Sequence, residues 1–345
     1  MFKKIVVPFV LVIFAGTILP STPAFADDSN RIIQIVQNLA PGLLEQTVND
    51  GELSFSDSKA ITDSGVIKLL SKSLEKQTDL SLVVNYARSL RNIGKGLTLL
   101  TGKDSKVYGL GQETGNGFRV LTAITGIPSA NRFDYAFEVP NQSEVRETST
   151  GYLLVSGGKV LGSLDKPWAI DANGNQLATH FEWKNQVLTQ VLDEDLAKVN
   201  YPVLMDPAWG YVYQYDLTFS AATNMNRIKT CFNCYFPVSG APKAYPKQGQ
   251  LLPLTVALFN FECTMGPTVQ SANYASFEFY ATRNHVDGYG SNIIFQFLQI
   301  GSKNYLVVDA YIVHSLDFIR GPYMAGAGLN WQIFAWNLNS PTPRS

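Results

Sequence analysis

Reactive chemistry is concentrated in three places in this sequence: a Cys-x-x-Cys motif, a loop crowding a histidine against a carboxylate, and a run of alternating acids and amides. Cys231 and Cys234 stand in CFNCYF, and Cys263 lies in a later apolar stretch. Such a motif serves redox chemistry at a helix start, binds zinc when further ligands join it, or forms a disulfide in an oxidising compartment. A four-thiolate zinc site would be one ligand short, and His180, His285 and His314 show no paired ligand spacing. The motif also leaves a helical run for a proline-rich stretch, which is not the setting of a thioredoxin-like site. The expectation is a structural disulfide between this motif and Cys263, with Cys234 the better placed partner than Cys231 and one cysteine left over.

The second place is RNHVDGYGS, where Asn284, His285 and Asp287 share a glycine-rich connection between strands. A histidine beside a carboxylate can exchange protons or ligate a metal, while Asp-Gly is also ordinary turn chemistry. These three residues form the candidate binding loop. The third place, DANGNQLATHFE, sets Asp171, Asn173, Asn175 and Glu182 at the ligand spacing of a calcium loop. Gln176 occupies the position where that loop needs glycine, the flanks read as strands, and Asn-Gly is a hairpin signal, so a turn is expected and no metal site. Gly-x-Ser-x-Gly, His-Glu-x-x-His and phosphate-loop patterns are absent. No catalytic residue and no cofactor are therefore assigned.

Which sulfur chemistry applies depends on the compartment. Lys3 and Lys4 precede the apolar run Ile5–Leu19, and Ala24-Phe25-Ala26 stands just before Asp27 and Asp28. That order is the pattern of a secretory signal peptide, 1–26, and the apolar run is short for a membrane span. Its removal takes two lysines and no acid, moving the net charge from −1 to −3. Nucleic-acid binding needs a basic stripe, and none is present. At 46% hydrophobic residues the chain is globular rather than disordered.

The elements that must carry these residues fall into three parts. Over 27–106, Ile32, Ile35, Val36 and Leu39 recur at helical spacing, Asp63 can cap a second helix bearing Val66, Leu69, Leu70 and Leu74, and Asp79 a third bearing Val83, Tyr86, Ala87 and Leu90. Over 107–212 the texture becomes β-branched and aromatic with turn signals between runs, predicting an antiparallel β segment. Over 213–338 an α+β domain is expected: a helix over 223–231, strands at 254–262, 275–283, 292–300 and 304–313, and a helix over 325–338 covering the sheet. Phe277, Phe279 and Ala281 alternate with Glu278, Tyr280 and Thr282, as a sheet with one covered face requires. Residues 339–345 read as a flexible tail. The fold class is thus multidomain α+β, with short N-terminal helices, a central antiparallel segment and a C-terminal sheet of about four strands under one or two helices.

KPWAIDANGNQLATHFEW and YPVLMDPAW resemble a β-rich segment of large secreted actinomycete proteins, and NCYFPVSGAP, NHVDGYGS and NWQIFAWNL resemble a C-terminal region of similar proteins. The resemblance implies an extracellular location and these domain boundaries. It implies no activity. The functional expectation is a secreted, non-catalytic module binding an extracellular or cell-envelope ligand. The alternative is a secreted hydrolase or toxin-like effector centred on His285 and Asp287.

Overall fold

A computed structural model describes residues 24–47, 53–54, 68–71, 80–114, 117–210, 212–256, 259–312 and 320–342. Most of the expected leader, and His314, lie outside these residues. Helix α1 (Ala24–Leu39) opens the described chain. Ile32, Ile35 and Val36 form its buried face, as their spacing predicts.

The third N-terminal helix is not formed, and of the second only Lys68–Ser71 is described, as a strand; Asp63, Val66, Leu74 and Asp79 lie outside the described residues. Lys68–Ser71, Leu80–Val84, Ala87–Gly94 and Leu97–Gly102 are strands, all in antiparallel pairings. Helical spacing of Val83, Tyr86, Ala87 and Leu90 was coincidental. Gly94, Lys95 and Gly96 all have positive φ, making the tight reversal that joins Ala87–Gly94 to Leu97–Gly102. The boundary expected after residue 106 falls inside the hairpin that pairs Leu97–Gly102 with Val107–Thr114.

These strands belong to two antiparallel sheets that share one core. One sheet includes Leu80–Val84, Arg132–Glu138, Val187–Leu192 and Thr179–Lys184, and the larger one includes Leu97–Gly102, Val107–Thr114, Gly117–Ile124, Lys159–Asp165 and Gly151–Ser156. Leu100, Val120, Phe133, Tyr135, Leu188 and Trp209 meet between them. Leu99, Leu110 and Leu121 point the other way, onto α1. Leu97–Gly102 is therefore buried on both faces, which explains a run without polar alternation.

The C-terminal domain is built from β1 (Val212–Leu217), α2 (Ala221–Thr230), α3 (Phe232–Tyr235), β2 (Leu251–Val256), β3 (Phe259–Gln270), β4 (Tyr274–Ala281), β5 (Asn292–Ile300), β6 (Lys303–Tyr311) and α4 (Arg320–Asn339). Its antiparallel sheet has six strands in the order β1-β6-β5-β4-β3-β2, not about four. The expected strand 254–262 is two strands, and β1 crosses to the far edge beside β6. Ser220 caps α2 by accepting from the Thr223 N–H at 3.3 Å.

Alternation along β4 to β6 gives the sheet two different faces. Phe277, Phe279, Phe295, Phe297, Leu306 and Val308 point toward the helices and join Phe236 and Phe334 in one aromatic core. Leu298, Ile300, Tyr305 and Val307 point outward and pack on Leu153, Val155 and Val160 of the central sheets. Arg146 reinforces that seam by donating to the Gln299 carbonyl at 2.9 Å.

Candidate functional site

The helix face of the C-terminal sheet does not close fully onto α4. A cavity of about 250 Å³ remains, lined by Tyr213, Phe236, Leu254, Phe261, Cys263, Phe279, Ala281, Val308 and Trp331, with few polar groups among them. Its roof depends on how α4 is seated. The stripe of Trp331, Phe334 and Leu338 turns inward as the spacing predicts: Phe334 and Leu338 are fully buried, and Trp331 packs edge-on against Phe295 with centroids 4.9 Å apart. At Gly328 the helix comes so near β1 that a Cβ would lie 3.1 Å from the Tyr213 ring, and the Tyr215 hydroxyl donates to the Gly328 carbonyl at 2.6 Å.

The far end of α4 is fixed by polar contacts. Arg227 donates to the Leu338 carbonyl at 2.8 Å and also to that of Ser340. A cation there satisfies carbonyls with no intrahelical partner and meets the negative end of the helix dipole. Asn337 donates to the Tyr235 carbonyl and Asn339 to that of Asp216, each at 2.9 Å. Asn339 and Ser340, expected in a flexible tail, are held by β1 and α2, and residues 343–345 lie outside the described residues.

The structure divides the candidate loop. His285 and Asp287 line the cavity. Asn284 is exposed and donates to Glu262 at 2.9 Å, beside Thr282, which donates to the same carboxylate oxygen at 2.7 Å. The Asp287 N–H donates to His285 Nδ1 at 3.0 Å, which places the ring proton on Nε2. The nearest Asp287 carboxylate oxygen stands 3.8 Å from Nδ1, too far for a hydrogen bond. Burial, with the edge of Phe261 against the ring at 5.2 Å, pushes the imidazole down to about 4. A histidine held neutral in this way is a weak base at neutral pH.

The cysteine pairing departs from the expectation. Cys231 and Cys234 are joined to each other, their Cα atoms 5.4 Å apart, and Cys263 is a free, buried thiol. The reason is local: Phe232–Tyr235 forms one turn of helix, so residues three apart become neighbours instead of entering the proline-rich stretch. Cys263 faces the cavity from β3, and burial pushes its thiol up to about 12.

The calcium-like run is a turn. Asp171 accepts from the backbone of Asn173 and Asn175, each at 2.9 Å, and from the side chains of Asn175 and Asn200. Glu182 pairs instead with Arg132 and His180 on the surface. Among the described residues no three His, Cys, Asp or Glu side chains come together as a metal ion requires.

A second concavity, polar and of about 310 Å³, lies between the outward face of the C-terminal sheet and the central sheets. Arg119, Asp165, Lys166, Glu278, Tyr280 and Tyr311 line it. Arg119 is bonded to buried Asp206 at 2.9 Å. Burial raises the Asp206 carboxyl although Arg119 pulls it the other way.

Sequence reasoning missed Phe236, Asn330 and Ala281 as cavity residues. For Asn330 a signal existed: it is the polar residue one turn before Phe334, on the stripe that faces the sheet.

No protein-family model matches the chain. No curated protein matches it either. Among solved structures, it is similar to the Aha1 dimer from Colwellia psychrerythraea, with 13% identity over 37% of this chain and 91% of that one, at a TM-score of 0.28. It is also similar to the di-domain ARO/CYC StfQ from the steffimycin biosynthetic pathway, with 9% identity over 72% of this chain and 86% of that one, at a TM-score of 0.21. Both scores are too low to indicate a shared fold. No described helix is long and apolar enough to cross a membrane.

Proposed function

We propose that the chain is an exported, non-catalytic binding protein whose C-terminal domain takes up a small, mainly apolar molecule between its sheet and α4. The observation that carries this reading is the cavity itself. A folded domain with so many aromatic side chains on one face closes its core unless something fills the gap, because unfilled volume costs stability. Ligand sites are of this kind, apolar enclosures with a few polar groups.

Export is supported by the leader pattern and by a paired Cys231–Cys234 beside a buried third thiol. Removal of 1–26 keeps Ile32, Ile35 and Val36, the buried residues of α1, which lie beyond the cleavage point. Material recovered from culture medium is expected to begin at Asp27 by intact mass. Retention of Met1 would remove the basis for export.

The test of binding is titration of the full chain with an apolar fluorophore, alongside Ala281→Phe. Saturable uptake by the wild type, lost in Ala281→Phe at unchanged circular dichroism, is the expected result. Equal uptake by both proteins would place the dye elsewhere and remove the reading's support. A hydrolytic role gains nothing from the geometry, because His285 accepts from backbone and stands out of bonding range of the Asp287 carboxylate.

A further inference from the structure

The polar cleft on the outward face of the C-terminal sheet carries more negative than positive charge. Asp165, Glu278 and Asp309 line it against Arg119 and Lys166. One of those cations is already engaged, because Arg119 bonds the buried carboxylate of Asp206, which is not on the wall. Among the described residues, neither Asp165 nor Glu278 has a Lys, Arg or His within ion-pair distance.

Glu278 is the sharper case. It stands on β4 with its side chain turned away from the helices, and only 7% of it is exposed. One carboxylate oxygen, Oε1, accepts from the Tyr280 hydroxyl at 2.7 Å. The other accepts no hydrogen bond among the described residues and is not sealed inside the protein, so it opens on the cleft that Glu278 lines. Asp165 reaches the same cleft from the end of Lys159–Asp165, open to water but crowded by protein on its other sides. That crowding raises its carboxyl although Arg119 pulls it down, and burial raises the carboxyl of Glu278. A carboxylate taken from water without a counter-ion is costly, and an entering cation offsets that cost. The rest of the wall suits a hydroxylated body: Ser149, Thr150 and Asn292 supply polar groups, and Tyr280, on the same wall, is 41% exposed and offers an aromatic face.

We propose that this cleft binds a small hydroxylated ammonium compound, of the size of an amino sugar, whose ammonium group is held by Glu278 and Asp165. Its volume, about 310 Å³, lies at the small end of ligand pockets, which span about 300–1,000 Å³. The site is on the opposite face of the sheet from the apolar cavity and does not depend on it.

Three sugars of one ring framework separate the outcomes: glucosamine, glucose and glucuronate, titrated calorimetrically into the full chain at neutral pH. A single hydrogen bond between charged groups predicts that glucosamine binds at least about tenfold tighter than glucose. Glucuronate is expected to bind more weakly than either. Glu278→Gln and Asp165→Asn should each lower the affinity for glucosamine and leave that for glucose unchanged, and the double variant should bind the two alike. If the wild type binds glucosamine and glucose alike, or glucuronate as well as glucosamine, the carboxylates recognise no cation and the proposal is wrong. It is equally wrong if none of the three binds, or if glucosamine keeps its full advantage in both single variants. Asp165 is accessible to water, so Asp165→Asn and the wild-type series decide the matter even where Glu278→Gln does not fold.

Discussion

Replacing Arg227 by alanine tests how α4 is held over the sheet. The guanidinium donates to two terminal carbonyls of the helix and lies over the rings of Phe219 and Tyr235, with distances to the centroids of 4.4 and 5.0 Å. A hydrogen bond to a charged group contributes about 1.5–3 kcal/mol, and the dipole interaction about 0.3–1 kcal/mol. Arg227 is half-buried, and water can replace part of what the Ser340 carbonyl loses. The net loss for Arg227→Ala is therefore about 3 kcal/mol, towards the lower end of the summed range. Arg227→Lys should recover less than half, since one ammonium cannot span both carbonyls and both rings. Urea unfolding followed by the fluorescence of Trp331 and Trp336, both on α4, reads the effect. A midpoint for Arg227→Ala within about 0.5 kcal/mol of the wild type, on the scale of a neutral surface change, would mean that packing alone seats the helix.

Three further outcomes are expected. Proteolytic mapping without reduction should give a Cys231–Cys234 link and one thiol per chain, unreactive until the protein unfolds; a peptide joined to Cys263 would contradict the pairing. Breaking so small a ring should cost only about 2 kcal/mol on loop-closure grounds, less than a Cys234–Cys263 staple would have contributed. Below its unfolded value of 6.5, His285 charges in the unfolded chain before the folded one, whose value is about 4. The stability it supports is thus complete above that window and falls as pH drops through it. Urea midpoints of the wild type should decline relative to His285→Gln between the two values, and parallel curves would show the ring to be solvated. Gly162→Ala should cost about 2–3 kcal/mol by overpacking, because a Cβ there overlaps the Trp209 indole and the Gly210 carbonyl. A thermal scan showing no loss would mean that Trp209 has room to move.

The C-terminal domain was the more legible part of the sequence. Phe277, Phe279 and Ala281 face the helices, and Glu278 and Tyr280 the other side, because a strand alternates strictly and its two faces here meet an aromatic core and a polar cleft. The stripe on α4 was legible for the same reason. The N-terminal part misled because Val83, Tyr86, Ala87 and Leu90 fit helical spacing while the strands they occupy are settled by distant partners such as Arg132–Glu138. Periodicity cannot register a pairing made so far along the chain. The candidate site was half legible. His285 and Asp287 reach the cavity, yet Asn284 turns to Glu262, and nothing in NHVD distinguishes the two outcomes. The cavity lies between the sheet and a helix distant in sequence, so its wall is scattered from Tyr213 to Trp331.

Binding as proposed requires apolar space between the C-terminal sheet and α4. Crystals of the chain pressurised with xenon test it most directly, since xenon occupies dry apolar cavities. A xenon atom is expected between the sheet and α4, in contact with Phe279, Val308 and Trp331. A sheet closed against α4, with those side chains touching and no xenon between them, would contradict it.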